Sequence, residues 1–127
     1  MVIVSISLSE ESAEALDDIQ RRFGLKGRSE AVRRAINAAK TEAQVIEEME
    51  GIAEGVLIIV KKDHSDPWMN LIQAKHESEI KTQLHSHLKD HKCLEVMVVS
   101  GEARNISSML KEIHSTGKAD YVTFVKS

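Results

Sequence analysis

The sequence has few of the residues that cross-link, rigidify or anchor a chain, with one cysteine, one proline, one tryptophan and one tyrosine among 127 residues. A single cysteine excludes an internal disulfide, and a single proline argues against a long disordered segment. The longest apolar run, Val56 to Val60, is far shorter than the roughly 20 residues of a membrane span. The sequence also lacks the charged start and the long apolar stretch that are typical of a signal peptide. We therefore expect a globular cytoplasmic protein with no membrane partner.

The formal net charge is −3, which alone argues weakly against a nucleic-acid partner. The distribution of charge matters more than its sum. Between Arg21 and Arg34, six basic residues accompany a single acid, Glu30. The sequence therefore contains one local basic cluster, which suits a partner rich in phosphate groups.

The first 50 residues predict a strand followed by two helices. Residues 2–8 alternate between two faces, with Val2, Val4, Ile6 and Leu8 on one and Ile3, Ser5 and Ser7 on the other. Apolar residues recur at helical spacing over Glu10–Phe23, and again from Ala31 to about Gly51 after a glycine-bounded turn. One strand cannot form a sheet and two short helices make a small core, so we expect this part to pair with a copy of itself.

The rest of the chain predicts the order strand, helix, strand, strand, helix, strand. The strands are predicted at 56–62, 80–88, 93–99 and 120–125, and the helices at 66–79 and 105–114. This order is the split βαβ, or ferredoxin-like, arrangement. The predicted fold class is α+β, with a βαα domain at 1–50 and a ferredoxin-like βαββαβ domain at 51–127.

The stretch LHSHLKDHKC, Leu84 to Cys93, holds the only cysteine and three of the six histidines. His85 and His87 are two residues apart on a predicted strand, so both project from one face. We expect the apolar side chains of this hairpin to share the core face: Leu84, Leu88, Leu94, Val96 and Val98. That register places His87 opposite Cys93 across a loop of Leu88 to Lys92, with the ligand atoms on the face away from the core.

Two imidazoles and a thiolate on one hairpin predict a metal site that lacks a fourth donor. His76, near the end of the preceding helix, is the best candidate, and His91 in the loop is the competing choice but is expected in solvent. Zinc suits such donors in a tetrahedral site, and nickel or copper suit them in a planar one. His64 and His114 have no evident partner and are expected on the surface, whereas Trp68 is expected in the core.

The first 45 or so residues resemble the ribbon-helix-helix repressors, on the strand VSISL, the helix after it and the segment GRSEAVRRAI. The resemblance implies that the paired strands enter the DNA major groove, where Ile3, Ser5 and Ser7 occupy the base-reading positions. It also implies that the start of the second helix grips a phosphate, at Gly27, Arg28 and Ser29, with Arg33 adding a further contact. Ile3 departs from the usual long polar residue and offers only apolar contact. A unit that serves dimerisation alone is the simpler alternative.

Taken with HESEIKTQLHSHLKDHKCLEVMVVSG, the segment RSEAVR makes nearly the whole chain similar to the nickel-responsive regulators of the NikR family. The resemblance implies a ribbon-helix-helix domain joined to an ACT-type regulatory domain in a homotetramer. It implies a planar nickel site built from His85, His87 and Cys93 of one subunit and His76 of a neighbouring subunit. The sequence separation of His76 and His85 is two residues shorter than is usual for the family, and we place the deletion at Glu77 to Glu79.

The resemblance implies a non-enzymatic transcriptional repressor of nickel uptake that binds double-stranded operator DNA and changes its affinity when the metal binds. One alternative is a ribbon-helix-helix regulator that senses a different ligand, such as an amino acid. Another is a metal-binding protein without regulation. A thiol nucleophile with histidine as its base is the enzymatic alternative, and it lacks an evident acid or oxyanion partner.

Overall fold

The computed structural model describes residues 1–62 and 66–127. Two compact units are present, an N-terminal unit, Met1–Gln44, and a C-terminal unit, Val45–Ser127. No helix in the described part of the chain is both long and apolar enough to cross a membrane. His64, which was expected on the surface, lies outside the described residues.

The N-terminal unit consists of a segment without helix or strand, residues 1–9, the helix α1, Glu10–Arg22, and most of the helix α2, Arg28–Glu47. Ser9 caps α1, because its side chain accepts a hydrogen bond of 3.1 Å from the backbone N–H of Ser12. Residues 1–9 form no strand in the single chain. A strand needs a hydrogen-bonded neighbour, and residues 1–9 have none among the described residues.

The C-terminal unit has the predicted βαββαβ order, which confirms the fold class. Its elements are β1, Ile52–Lys62, α3, Trp68–Lys75, β2, Ile80–Leu88, β3, Lys92–Glu102, α4, Ala103–Thr116, and β4, Ala119–Lys126. The four strands form one sheet in the order β2-β3-β1-β4, and every pair of neighbours is antiparallel. The sequence segments for both helices and all four strands agree with the prediction to within a few residues.

The core of the C-terminal unit lies between one face of the sheet and the helices α3 and α4. Trp68 is buried there, as predicted. The helices contribute Met69, Ile72, Ile106, Met109, Leu110 and Ile113, and the strands contribute Leu57, Ile59, Met97, Val99 and Phe124. Amphipathic spacing on α4 brings its apolar side chains onto this face of the sheet, and their burial supplies most of the driving force for folding this unit.

The predicted core face of the β2–β3 hairpin is wrong. Leu84 and Val98, which were expected in the core, are 55% and 43% exposed, whereas Cys93, Met97 and Val99 are fully buried on the side of the helices. The reason is that β3 carries apolar residues on both faces, so its pattern does not show which face the helices cover. The register is unaffected, because exchanging the two faces leaves every cross-strand pair unchanged.

The other face of the sheet is also apolar, and no helix among the described residues of the C-terminal unit covers it. We call it the open sheet face. It carries Val56, Ile58, Val60, Leu84, Leu94, Val96, Val98, Tyr121 and Val125, all of them half-buried or exposed. Contiguous apolar surface of this kind is uncommon on a monomer and marks an interaction surface.

Gly55 lies where β1 and β4 meet, and its lack of a side chain is required there. A Cβ atom at this position would lie 2.5 Å from the carbonyl oxygen of Val125 and 2.7 Å from the ring of Phe124. Both distances are far below van der Waals contact, and one of the contacted atoms belongs to the backbone. The pairing of β1 with β4 therefore depends on glycine at this position.

We expect Gly55→Ala to lower the free energy of unfolding of the C-terminal unit by about 1–3 kcal/mol, because the added methyl group overpacks the sheet. The fluorescence of Trp68, the only tryptophan, reports the unfolding of this unit during a urea titration. Glu54→Ala, at the neighbouring exposed position of the same strand, is the control and should change stability by less than about 0.5 kcal/mol. Equal stability of the two variants would contradict the assigned close approach.

Candidate metal centre

The hairpin of β2 and β3 brings the histidine pair beside the cysteine. In its register His87 lies opposite Cys93, as predicted, and His85 lies opposite Glu95. The strands are joined by a tight turn in which Asp90 and His91 have φ values of 60° and 56°. Aspartate and histidine are among the non-glycine residues that adopt this left-handed region most readily, so the sequence of the turn fits the register.

Three side chains on this hairpin converge. The nearest ligand atoms of His85, His87 and Cys93 all lie within 4.8 Å of one another. The Cys93 sulfur lies 3.6 Å from His87 Nδ1, and the rings of His85 and His87 meet edge to face with their centroids 5.1 Å apart. Cys93 is fully buried and both histidines are exposed, so the cluster is closed on the sheet side and accessible from the histidine side.

Glu95 is a member of this site that the sequence reasoning missed. Its side chain is buried, one carboxylate oxygen pairs with His85 Nδ1, and the other has no hydrogen-bond partner among the described residues. A carboxylate that engages Nδ1 fixes the tautomer and leaves Nε2 of His85 available to an ion. The signal was present in the sequence, since Glu95 is two residues from Cys93 and so projects from the same face.

The geometry of the cluster fits a transition-metal ion. With metal–nitrogen bonds of about 2.0 Å and a metal–sulfur bond of about 2.3 Å, two ligand atoms on opposite sides of an ion are about 4.0–4.3 Å apart. The mutual separation of 4.8 Å or less therefore requires only a small closure of the side chains. Imidazole nitrogen and thiolate sulfur are ligands for nickel, copper and zinc rather than for magnesium or calcium.

His76 is not part of this cluster within the chain. It ends α3, and its side chain is 8% exposed, with Nε2 3.4 Å from a carboxylate oxygen of Glu112 on α4. Nε2 has no hydrogen-bond partner among the described residues. The amino group of Lys75 lies 2.6 Å from the same Glu112 oxygen, and its hydrogen bond is the main cause that holds the pKa of Glu112 below its usual range. His91, the competing choice, is exposed in the turn.

The residues predicted to contact DNA are exposed in the N-terminal unit. Ile3 is 91% exposed, and Ser5, Ser7, Ser29 and Arg33 are exposed as well. The guanidinium of Arg28 donates two hydrogen bonds to Asp17 of α1, of 3.1 and 3.3 Å. These bonds raise the pKa of Arg28 above its usual value and fix its side chain beside the start of α2.

Models of two protein families match the chain. Residues 2–43 match the model "Ribbon-helix-helix protein, copG family", and residues 55–126 match the model "NikR C terminal nickel binding domain". The second match covers more than half of the chain and includes the whole β2–β3 hairpin.

Curated relatives match over most of their length. A protein of Pyrococcus abyssi is 33% identical over 91% of this chain and 85% of the relative, one of Geobacter sp. (strain M21) is 35% identical over 85% and 79%, and one of Halobacterium salinarum is 32% identical over 91% and 84%. Each bears the name "Putative nickel-responsive regulator". A solved structure of an uncharacterized protein from Thermotoga maritima shares the fold at 13% identity, with a TM-score of 0.54 over 60% of this chain and 98% of that one.

We expect Glu95→Gln to weaken the binding of a divalent transition-metal ion by about tenfold, because the amide removes the negative charge that orients His85. Titration against a chromophoric chelator measures the change. Glu102→Gln, which alters an exposed acid of the same unit that is paired with Arg104, serves as the control and should leave the affinity unchanged. Equal affinities for the two variants would show that Glu95 does not support the site.

Proposed function

The chain belongs to the family of nickel-responsive regulators defined by the NikR C-terminal nickel-binding domain, and we propose that it is a DNA-binding repressor whose operator affinity depends on nickel. The observation that carries this proposal is the convergence of His85, His87 and Cys93 on one hairpin. The family is one of transcription regulators, so the prediction that the chain is not an enzyme agrees with its membership. We assign residues 1–50 to DNA binding and dimerisation, and residues 51–127 to metal binding and tetramerisation.

The proposed DNA-binding element is a ribbon formed by the N-terminal segments of two chains. The exposed alternation of residues 2–8 supports it, because pairing would bury the even, apolar side chains against the helices and direct the odd ones outward. Ser5 and Ser7 would then reach base edges through their hydroxyl groups, and Ile3 would offer apolar contact to a thymine methyl. Ser29 and the backbone at the start of α2 would hold a phosphate, together with Arg28 and Arg33.

The proposed nickel ligands are His85, His87 and Cys93 of one subunit and His76 of another. Glu95 supports the set by orienting His85. Nickel bound here would supply an electrostatic and covalent link between two C-terminal units. Two subunits that hold one ion in common would favour one arrangement of the DNA-binding dimers. Operator binding would then change, because the arrangements differ in their affinity for the operator. Once one DNA-binding dimer of a tetramer has bound a half-site, the other dimer would be held near the second half-site, which raises its effective concentration there.

The proposed tetramer interface is the open sheet face. Apolar side chains from all four strands lie on it, and in the single chain nothing among the described residues of the C-terminal unit covers them. A second copy of the same face would bury them against one another by sheet-on-sheet packing. Because the ligand hairpin is part of the same sheet, assembly through this face brings two hairpins into one oligomer.

We expect nickel to strengthen binding to a palindromic operator by about 5–150-fold, the usual range of an allosteric coupling. A band-shift assay with and without nickel measures the change. Replacing both His85 and His87 by alanine should abolish the nickel response and leave the metal-independent affinity intact. Retention of the response in that variant would favour a sensor of another ligand.

Replacing an apolar residue of the open sheet face by a charged one should separate the tetramer into dimers, because an unpaired charge cannot be buried in an apolar interface. Val98→Glu tests this in sedimentation velocity. Lys111→Glu, on the exposed side of α4, is the control and should sediment like the unaltered protein. A Val98→Glu tetramer would place the interface elsewhere.

A further inference from the structure

His76 occupies an enclosed position within its own subunit. It lies at the end of α3, and its backbone N–H donates to the carbonyl of Ile72 over 3.1 Å. Its side chain is buried against α4, where Nε2 faces the carboxylate of Glu112 at 3.4 Å. Nε2 is inaccessible to solvent and has no hydrogen-bond partner among the described residues. The contact with Glu112 is therefore an electrostatic attraction rather than a hydrogen bond, and it acts on a nitrogen that has lost its bonds to water.

The short loop after His76 is held against the sheet by a backbone hydrogen bond and by a buried side chain. The backbone N–H of Glu79 donates to the carbonyl of His76 over 3.1 Å, and that of Ser100 on β3 donates to the carbonyl of Glu79 over 2.8 Å. The side chain of Glu79 is buried, and its Cγ fills the space that a Cβ atom at Gly101 would need. The backbone on the C-terminal side of His76 is therefore anchored, so exposing its ring depends on a rotation of the side chain or a local opening of α3 from α4.

We infer that Glu112 holds His76 in a closed position within its own subunit and thereby competes with the donation of the His76 imidazole to an ion held by another subunit. This inference rests on the proposed function, because only a ligand supplied to another subunit must leave its own. While Nε2 is enclosed it cannot coordinate an ion outside, so the closed form cannot complete the site through this nitrogen. The apparent metal affinity then falls with the fraction of chains that are closed.

Lys75 strengthens the closed position by fixing the carboxylate. Its amino group lies 2.6 Å from the same Glu112 oxygen that faces His76. The carboxylate is thus held between α3 and α4 by a second contact besides His76. Glu112 acts through His76 and is a positioning residue rather than a ligand.

Removing the carboxylate tests this competition. We expect Glu112→Ala to lower the apparent Kd for nickel by about three- to tenfold, because a larger fraction of chains is then competent. Nickel titration of the full-length protein, followed by thiolate-to-nickel charge-transfer absorption, measures the change. Glu102→Ala removes an acid of the same unit that is also ion-paired, and it should leave the Kd unchanged. Glu112→Gln keeps the size of the side chain and should shift the Kd in the same direction by a smaller factor.

A double-mutant cycle distinguishes release of His76 from a general effect of charge. His76→Ala should weaken nickel binding, and in that background Glu112→Ala should have no further effect. Unchanged or weaker nickel binding by the Glu112 variants would overturn the inference, as would equal tightening in the His76→Ala background. Unaltered affinity of His76→Ala itself would also overturn it, while leaving the three-ligand site intact. Absence of nickel binding by the unaltered protein would instead remove the proposed function.

Discussion

The register of the β2–β3 hairpin is the constraint on which the candidate site depends. It sets His87 opposite Cys93 and His85 opposite Glu95, so that one pair of strands supplies three ligand atoms and the carboxylate that orients one of them. A shift of one residue would send the imidazoles to the opposite face of the sheet from Cys93. The backbone hydrogen bonds and the tight turn at Asp90 and His91 therefore do more for the site than any contact among the ligands themselves.

Each of the two units has an apolar surface that is exposed in the single chain. Among the described residues, the N-terminal segment has no strand partner, and the sheet of the C-terminal unit has one face that its own helices cover and one that they do not. The ligand hairpin lies at the edge of the sheet and presents three donors rather than four. In the proposed homo-oligomer, further copies of the same chain would pair with the N-terminal segment, cover the open sheet face and supply the fourth donor, which is why a homo-oligomer and a metal response belong together in the proposal.

Much of this was predictable from the sequence, because alternation and helical spacing are local signals. The βαββαβ order and the pairing of His87 with Cys93 followed from the positions of apolar residues. The face of the sheet that the helices cover could not be predicted in this way, because β3 is apolar on both faces and the covering helices are remote in sequence. Glu95 was missed because a charged residue on a strand is usually exposed. The enclosure of His76 could not be predicted from the sequence either, because it depends on a contact with Glu112 on a different helix.

The central claim is that the Cys93 thiolate and the paired imidazoles hold one nickel ion for each chain. The absorption spectrum of the nickel-loaded protein, compared with that of Cys93→Ser, tests it most directly. We expect a thiolate-to-nickel charge-transfer band that saturates at one equivalent of nickel and is absent from the serine variant. A spectrum without this band, or the same band in both proteins, would contradict it.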